Sequence, residues 1–229
     1  VKLLAWETAT EHVSVALWVD GNVIERALPA ARGASDQLLE VIQQLLAEAG
    51  LGLQQLDLLA VGQGPGGFTG VRLGISIAQG LGYSTGLPVV PVSTLRAVAQ
   101  DALQRDRAAC DHAAGRLLVC QDARMGEVYC GAYTARDGVV SSAGNEYLAK
   151  PADIVVPDRW MVDGYAVCGS MPLGPAVLPA LQARIESARP SATAVALLAA
   201  HEGMSAAVAT AAVQPVYLRN DVAVPSVRT

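Results

Sequence analysis

Two acidic residues, Glu7 and Asp122, hold matching places in two stretches of the chain, "LLAWETATEHVSVALWVDGNVI" from Leu3 and "LLVCQDARMGEVYCGAYTARDGVV" from Leu117. Each ends an apolar run, opens a small polar turn, and precedes an alternating run that closes at an Asp-Gly pair. Thr8 and Thr10 set hydroxyls beside the first. If the two turns face each other across a cleft, these oxygen atoms suit a divalent cation and a nucleotide phosphate. Glu7, Thr8, Thr10 and Asp122 are therefore the candidate cofactor-binding residues. The competing reading is a polar turn at the end of each strand. The residues just past Asp122 favour it, because Arg124, Met125 and Gly126 do not resemble a phosphate loop.

The stretch Gly62–Gly74, "GQGPGGFTGVRLG", offers a second chemistry. Gly62, Gly64 and Gly67 satisfy G-x-G-x-x-G between an apolar run and a helical pattern. A dinucleotide site also needs an acidic residue about 20 positions on, at the end of the next strand. Here that strand, "VVPV", runs into Ser93 and Thr94. A Walker A loop needs Gly-Lys-Ser/Thr, and the basic residue at hand is Arg72. "GYSTG" at Gly82–Gly86 matches a nucleophile elbow in letters, but Ser84 falls at the end of a helical run rather than on a strand-to-helix turn. Cys110, Cys120, Cys130 and Cys168 show no C-x-x-C spacing, and the three histidines are scattered. No metal site and no catalytic residue is assigned.

The glycines have another use. Gly70, Gly74, Ala78 and Gly82 recur every fourth position, so one stripe of their helix carries almost no side chain. Such a seam lets another backbone approach closely, with Val71, Leu73, Ile75, Ile77 and Leu81 as flanking walls. The pattern favours packing over a ligand cradle and leaves open whether the neighbour belongs to this chain or to another.

The elements that position these residues emerge from periodicity. Lys2–Trp6 reads as a strand, Val13–Val19 alternates as a second, and Asp20–Gly21 turns into a third over Asn22–Leu28. From Ser35 the period becomes helical: Leu38, Leu39, Ile42, Leu45 and Leu46 share a face, with Ser35 and Gly50 as end signals. Leu56–Gly62 and Val89–Val92 read as strands, and Gly70–Gly86 and Thr94–Arg107 as helices. The second half repeats the opening pattern. It continues with a Pro-flanked connection over Tyr147–Val156, a strand over Trp160–Cys168 interrupted near Asp163–Gly164, and helices over Pro175–Ser187 and Ser191–Glu202. A repeat of this kind predicts duplicated subdomains, divided as residues 1–108 and 109–229.

The 229 residues are 52% hydrophobic and 16% charged, enough apolar material for ordinary cores. A net charge of −5 with no Lys/Arg run lacks the footprint of a stand-alone nucleic-acid binder. "VKLLAWETAT" reads as a strand rather than a secretory leader, and the Ala-rich stretch from Ala192 as a buried helix rather than a membrane span. A cytoplasmic protein with reduced thiols is expected.

"ETAT…VSVALW", "GQGPGGFTGVRLGISIAQGL", "VSTL", "DARMGEVY" and "PVYLRND", in this order along the chain, resemble the bacterial TsaB (YeaZ) family of tRNA threonylcarbamoyladenosine biosynthesis proteins. The resemblance implies a duplicated α/β fold of the actin, hexokinase and heat-shock chaperone type (ASKHA), each subdomain holding a mixed sheet flanked by helices. It also implies a non-catalytic partner of the related subunit TsaD, which transfers a threonylcarbamoyl group to a tRNA adenosine, with a small ATPase, TsaE, as a further partner. TsaC supplies the threonylcarbamoyl-adenylate donor. The family is grouped with glycoprotease-like or M22 peptidase-like sequences. The catalytic relative carries H-x-x-x-H on its first long helix, whereas Ser35–Gly50 contains no histidine. Many relatives have aspartate where Glu7 stands. From the resemblance, the first long helix and the glycine-seam helix form a dimer interface with a second copy or with TsaD, through Leu38, Ile42, Leu45, Gly70, Val71, Gly74, Ile75, Ala78 and Gly82. No cofactor and no membrane are expected, and tRNA is reached only through the complex. The alternatives are a nucleotide-binding ATPase or kinase of the same fold and an M22-type peptidase.

Overall fold

A computed structural model of the chain describes residues 1–28, 34–169 and 175–219. Two sheets are built on one plan. In the first, β1 (Lys2–Glu7), β2 (Ser14–Val19) and β3 (Asn22–Ala27) form an antiparallel meander, and β4 (Leu58–Gly62) and β5 (Val89–Val92) add parallel strands in the order β3-β2-β1-β4-β5. In the second, β6 (Arg116–Asp122), β7 (Val128–Arg136) and β8 (Val139–Ser142) repeat the meander. Strands β10 (Tyr165–Cys168) and β11 (Leu181–Ile185) repeat the parallel pair, in the order β11-β10-β6-β7-β8, while β9 (Tyr147–Ala149) pairs with β7.

Both faces of each sheet are apolar, so each must be covered. On the first sheet Leu4, Trp6, Val15, Leu17, Leu59 and Val61 point to one side, where α1 (Ala34–Glu48) lies over β2 and α2 (Phe68–Thr85) over β4. Leu3, Ala5, Ala16, Leu58 and Ala60 point to the other side, into a core shared with Leu117, Val119, Tyr133 and Ala166 of the second sheet. Two helices fill that shared core, and each crosses over. Helix α3 (Thr94–Arg105), from the first half, packs on β6, β7 and β8, while α6 (Ala192–Glu202), from the second half, packs on β1, β2 and β4. A fully buried leucine or isoleucine stabilises by about 1.5–3 kcal/mol, so this crossover joins the halves firmly.

Helix ends are set locally. Ser93 caps α3 by accepting from the Arg96 amide, and Gly86 ends α2 in the left-handed region at φ +76°. Ser191 caps α6, and the Glu25 carboxylate of β3 accepts from the Ala192 amide at 3.0 Å, an acid at a helix N-terminus. The Ser35 side chain, expected as the cap of α1, lies outside the described residues.

Three expected elements differ in part, the first of them breaking at the expected interruption near Asp163–Gly164. Trp160–Cys168 splits into a short helix α5 (Trp160–Asp163) and β10, because Gly164 at φ +80° breaks the run. Pro175–Ser187 is not a helix: a 3-10 turn at Pro175–Val177 leads to β11, the fifth parallel-position strand that the repeat requires. Thr94–Arg107 ends at Arg105, and Asp106 caps a new short helix α4 (Arg107–His112).

Candidate functional site

At the end of β1 the chain turns over the glycine stretch. The Glu7 side chain is fully buried beneath this turn. Its Oε1 accepts from the Ala9 amide at 2.7 Å and its Oε2 from the Thr94 hydroxyl at 3.0 Å. Thr94 Oγ1 in turn accepts from the Gly64 amide at 3.2 Å, and the Thr94 amide donates to the Gly64 carbonyl at 2.9 Å. Burial pushes the Glu7 carboxyl above its ordinary value of 4.5, against the opposing pull of the hydrogen bonds from Ala9 and Thr94.

The glycines make room for this turn. A Cβ on Gly62 would stand 2.0 Å from Glu7 Oε2, one on Gly66 2.4 Å from the Ala9 carbonyl, and one on Gly70 2.0 Å from the Thr8 carbonyl. The Gly67 amide donates to the Ala9 carbonyl at 2.7 Å, and the Thr8 hydroxyl to the Gly70 carbonyl at 2.8 Å. One N–H of the glycine loop is thus spent on the chain's own backbone, and the Thr8–Ala9 segment packs directly against the loop. The seam continues inward: a Cβ on Gly74 would meet Thr8 Oγ1 at 2.4 Å, and one on Gly82 would meet Thr210 Oγ1 at 2.6 Å. Trp6 Nε1 donates to the Gly74 carbonyl at 3.0 Å.

This corrects the expected interface. Leu38, Ile42, Leu45, Val71, Ile75 and Ala78 are buried in the core between the two helices and the first sheet, and Gly70, Gly74 and Gly82 face the β1 turn and the segment at Thr210. The close backbone neighbour that the seam admits belongs to this chain. What α1 and α2 turn outward is different: Leu39, Glu40 and Gln43 on α1, and Thr69, Arg72, Ser76 and Tyr83 on α2.

Between the halves lies a cleft of about 560 Å³. The structure brings Thr8, Thr10 and Asp122 to it but leaves Glu7 below, covered by the turn. Gly66, Gly67, Gly70, His12, Arg124, Tyr129 and Arg189 also line it. Asp122 is engaged locally: its Oδ1 accepts from the Arg124 amide at 2.7 Å, and Oδ2 lies 3.3 Å from the Arg124 guanidinium. Arg124 also reaches to 3.9 Å from Glu11, so an exposed ion pair spans the two turns; such pairs contribute little. Among the described residues no three His, Cys, Asp or Glu side chains group as metal ligands, and no helix is long and apolar enough to cross a membrane.

Sequence reasoning gave no site role to Thr94, whose signal was the Ser-Thr pair at a helix start, nor to Tyr217 and Arg219, although both lie in "PVYLRND". Tyr217 stacks on Phe68 with ring centroids 5.7 Å apart and accepts from Arg72 Nε at 2.8 Å. Arg219 grips the turn after Asp122, donating to the Ala123 carbonyl at 3.1 Å and to Glu127.

Two sheets of one topology, with an exchanged helix pair between them and a cleft at the ends of β1 and β6, define a duplicated fold of the actin, hexokinase and heat-shock chaperone class. Residues 28–223 match the family model described as TsaD: tRNA N6-adenosine threonylcarbamoyltransferase. The tRNA threonylcarbamoyladenosine biosynthesis protein TsaB of Escherichia coli (strain K12) is 41% identical over 66% of this chain, and its Haemophilus influenzae counterpart is 46% identical over 56%. The chain spans 63% and 51% of the length of these two relatives. The solved structure of YeaZ from Pseudomonas aeruginosa superposes with a TM-score of 0.82 at 34% identity, covering 95% of this chain and 99% of that one. The chain belongs to the TsaB/YeaZ family.

Proposed function

We propose that this chain is a non-catalytic scaffold subunit in tRNA threonylcarbamoyladenosine biosynthesis, supporting a TsaD-like subunit as it transfers the threonylcarbamoyl group to a tRNA adenosine. The observation that carries this reading is the filled glycine loop. The Thr8–Ala9 backbone packs against the loop and Glu7 is sealed beneath the turn, so the Gly67 amide and the Glu7 carboxylate are already engaged within the chain. The outward faces of α1 and α2 serve as the contact surface for TsaD or for a second copy. Leu39 and Tyr83 stand exposed there among polar residues, at 42% and 90% exposure, the mixture common at protein interfaces. With a net charge of −5, the chain meets tRNA only through its partner. A TsaE-like ATPase completes the assembly, which works in the cytoplasm.

The test is reconstitution. A TsaD-like subunit, TsaE-like ATPase, tRNA and threonylcarbamoyl-adenylate are combined with and without this chain, and modified adenosine is counted. Modification that requires the chain and survives Asp122→Asn supports a scaffold. Modification that is the same without the chain refutes it.

The cleft favours a second reading, a nucleotide-binding ATPase of the same fold, since Thr8, Thr10 and Asp122 line it. A nucleotide-dependent rise in Tm of the isolated chain, abolished by Asp122→Asn, would select that reading.

A further inference from the structure

Three stretches far apart in sequence meet along the segment beyond α6. Val208 pairs with Val89 through both backbone hydrogen bonds, at 2.8 and 3.1 Å, which lays the segment beside β5. Gln79 of α2 donates to the Val213 carbonyl at 3.0 Å, and Val213 is fully buried. The Val216 amide donates to the Gln63 carbonyl at 2.8 Å, and Gly64, at φ +93°, lies so close that a Cβ there would stand 2.8 Å from the Val216 carbonyl. Tyr217 then locks onto α2. Its ring lies against Phe68, its hydroxyl accepts from Arg72, and the Arg72 guanidinium sits 3.7 Å from the Phe68 ring centroid.

Two residues later the segment reaches the other half. Arg219 donates to the carbonyls of Ala123 and Arg124, to Glu127, and to Met125 Sδ at 3.0 Å. The turn it holds is unfavourable alone: Arg124, Met125 and Gly126 run at φ +63°, +56° and +75°, and two of the three carry side chains. Charge-assisted bonds to its carbonyls offset that cost. The two anchor points border opposite walls of the cleft, because Pro65, Gly66, Gly67 and Gly70 line one side and Asp122, Ala123 and Arg124 the other.

We propose that residues 213–219 form a clamp that sets the separation of the two cleft walls, anchored by Tyr217 on α2 and by Arg219 on the β6–β7 turn. The shared core around α3 and α6 joins the halves at their base, and the clamp ties them at the cleft. The clamp operates whether or not the chain is a scaffold, since it rests on the contacts of the segment alone.

Hydrogen exchange on the full chain tests the clamp, comparing wild type with Arg219→Ala and Tyr217→Ala. A clamp predicts crossed effects. Arg219→Ala, in the second-half anchor, accelerates exchange at Gly67 and Val71 in the first half. Tyr217→Ala accelerates exchange at Ala123 and Glu127 in the second. The expected rise is about tenfold or more, as for loss of a charge-assisted hydrogen bond, with the α3 and α6 amides unchanged. Effects confined to the wall that each side chain touches would overturn the proposal. So would failure of either variant to fold, since the shared core must hold without the clamp.

Discussion

Glu7 and Gly62 occupy a single space: the carboxylate of one lies where the side chain of the other would be, 2.0 Å from the position of an added Cβ. Residue 62 must therefore be glycine because residue 7 is glutamate, and no phosphate is needed to explain it. Gly62→Ala is expected to destabilise by about 1–3 kcal/mol through overpacking. Glu7→Asp withdraws the carboxylate by one methylene and should relieve part of that cost. In urea unfolding the double variant should be more stable than the sum of the single changes, by an interaction energy of about 0.5–3 kcal/mol. Strict additivity would show that the two residues do not compete for this space.

Ionisation of Glu7 gives a pH dependence of known sign. Burial raises its folded-state pKa above the ordinary 4.5. Below that value both states hold the proton and Glu7 contributes its full share to stability. As pH rises through the folded pKa the folded state must ionise a buried group, and that share is lost. Glu7→Gln can keep both contacts, accepting from Ala9 and donating to Thr94, without ionising. Its Tm at pH 7 should equal or exceed that of wild type, and the gap should close as pH falls towards 4.5. A gap that instead widens on acidification contradicts the assigned burial.

The thiols provide a check on the packing of the second sheet. All four cysteines are free and buried. Burial, with Asp106 and Asp111 nearby, pushes Cys110 up to about 11, and burial pushes Cys168 well above the ordinary thiol range. The hydrogen bond with Cys120 instead lowers Cys130, so what protects all four thiols is their burial, and native protein at pH 8 should leave an aromatic disulfide reagent unreacted over minutes. The same protein in guanidinium should release four equivalents, one for each cysteine. A single fast equivalent from the native chain would locate an accessible thiol and refute the packing.

Much of the fold was legible in the sequence, and the rest was hidden for identifiable reasons. The alternation of Val15 and Leu17 and the helical spacing of Leu38, Ile42 and Leu45 reported real strand and helix faces, because burial imposes those periods. The matching Glu7 and Asp122 stretches reported the duplication. Periodicity names a face but not its neighbour. The small stripe of α2 was visible, yet that it lies against Thr8, 62 residues from Gly70, was not. The equivalence of Glu7 and Asp122 has the same limit: both end a first strand, but among the described residues it is Glu7 that stands against a glycine admitting it into the core. Tyr217 and Arg219 carry no local pattern, since their partners lie 145 and 92 residues away.

The two faces of α2 separate folding from association. Ala78 is fully buried and Tyr83 is 90% exposed on the same helix. Ala78→Trp forces an indole into a filled core, at about 3 kcal/mol or more. For a chain of this size each kcal/mol moves Tm by roughly 2–4 °C, so a fall on the order of 10 °C is expected, with any loss of association resulting from unfolding. Tyr83→Ala removes a ring that touches little in the chain, and its stability should stay within about 0.5 kcal/mol of wild type. A tyrosine anchoring an interface is typically worth about 2 kcal/mol, so binding to a TsaD-like subunit or a second copy should weaken roughly thirtyfold. Calorimetry and sedimentation of both variants, with a titration against the partner, decide the matter. If Tyr83→Ala binds as wild type and outward changes at Leu39 and Ser76 are equally silent, the contact surface lies elsewhere than on α1 and α2.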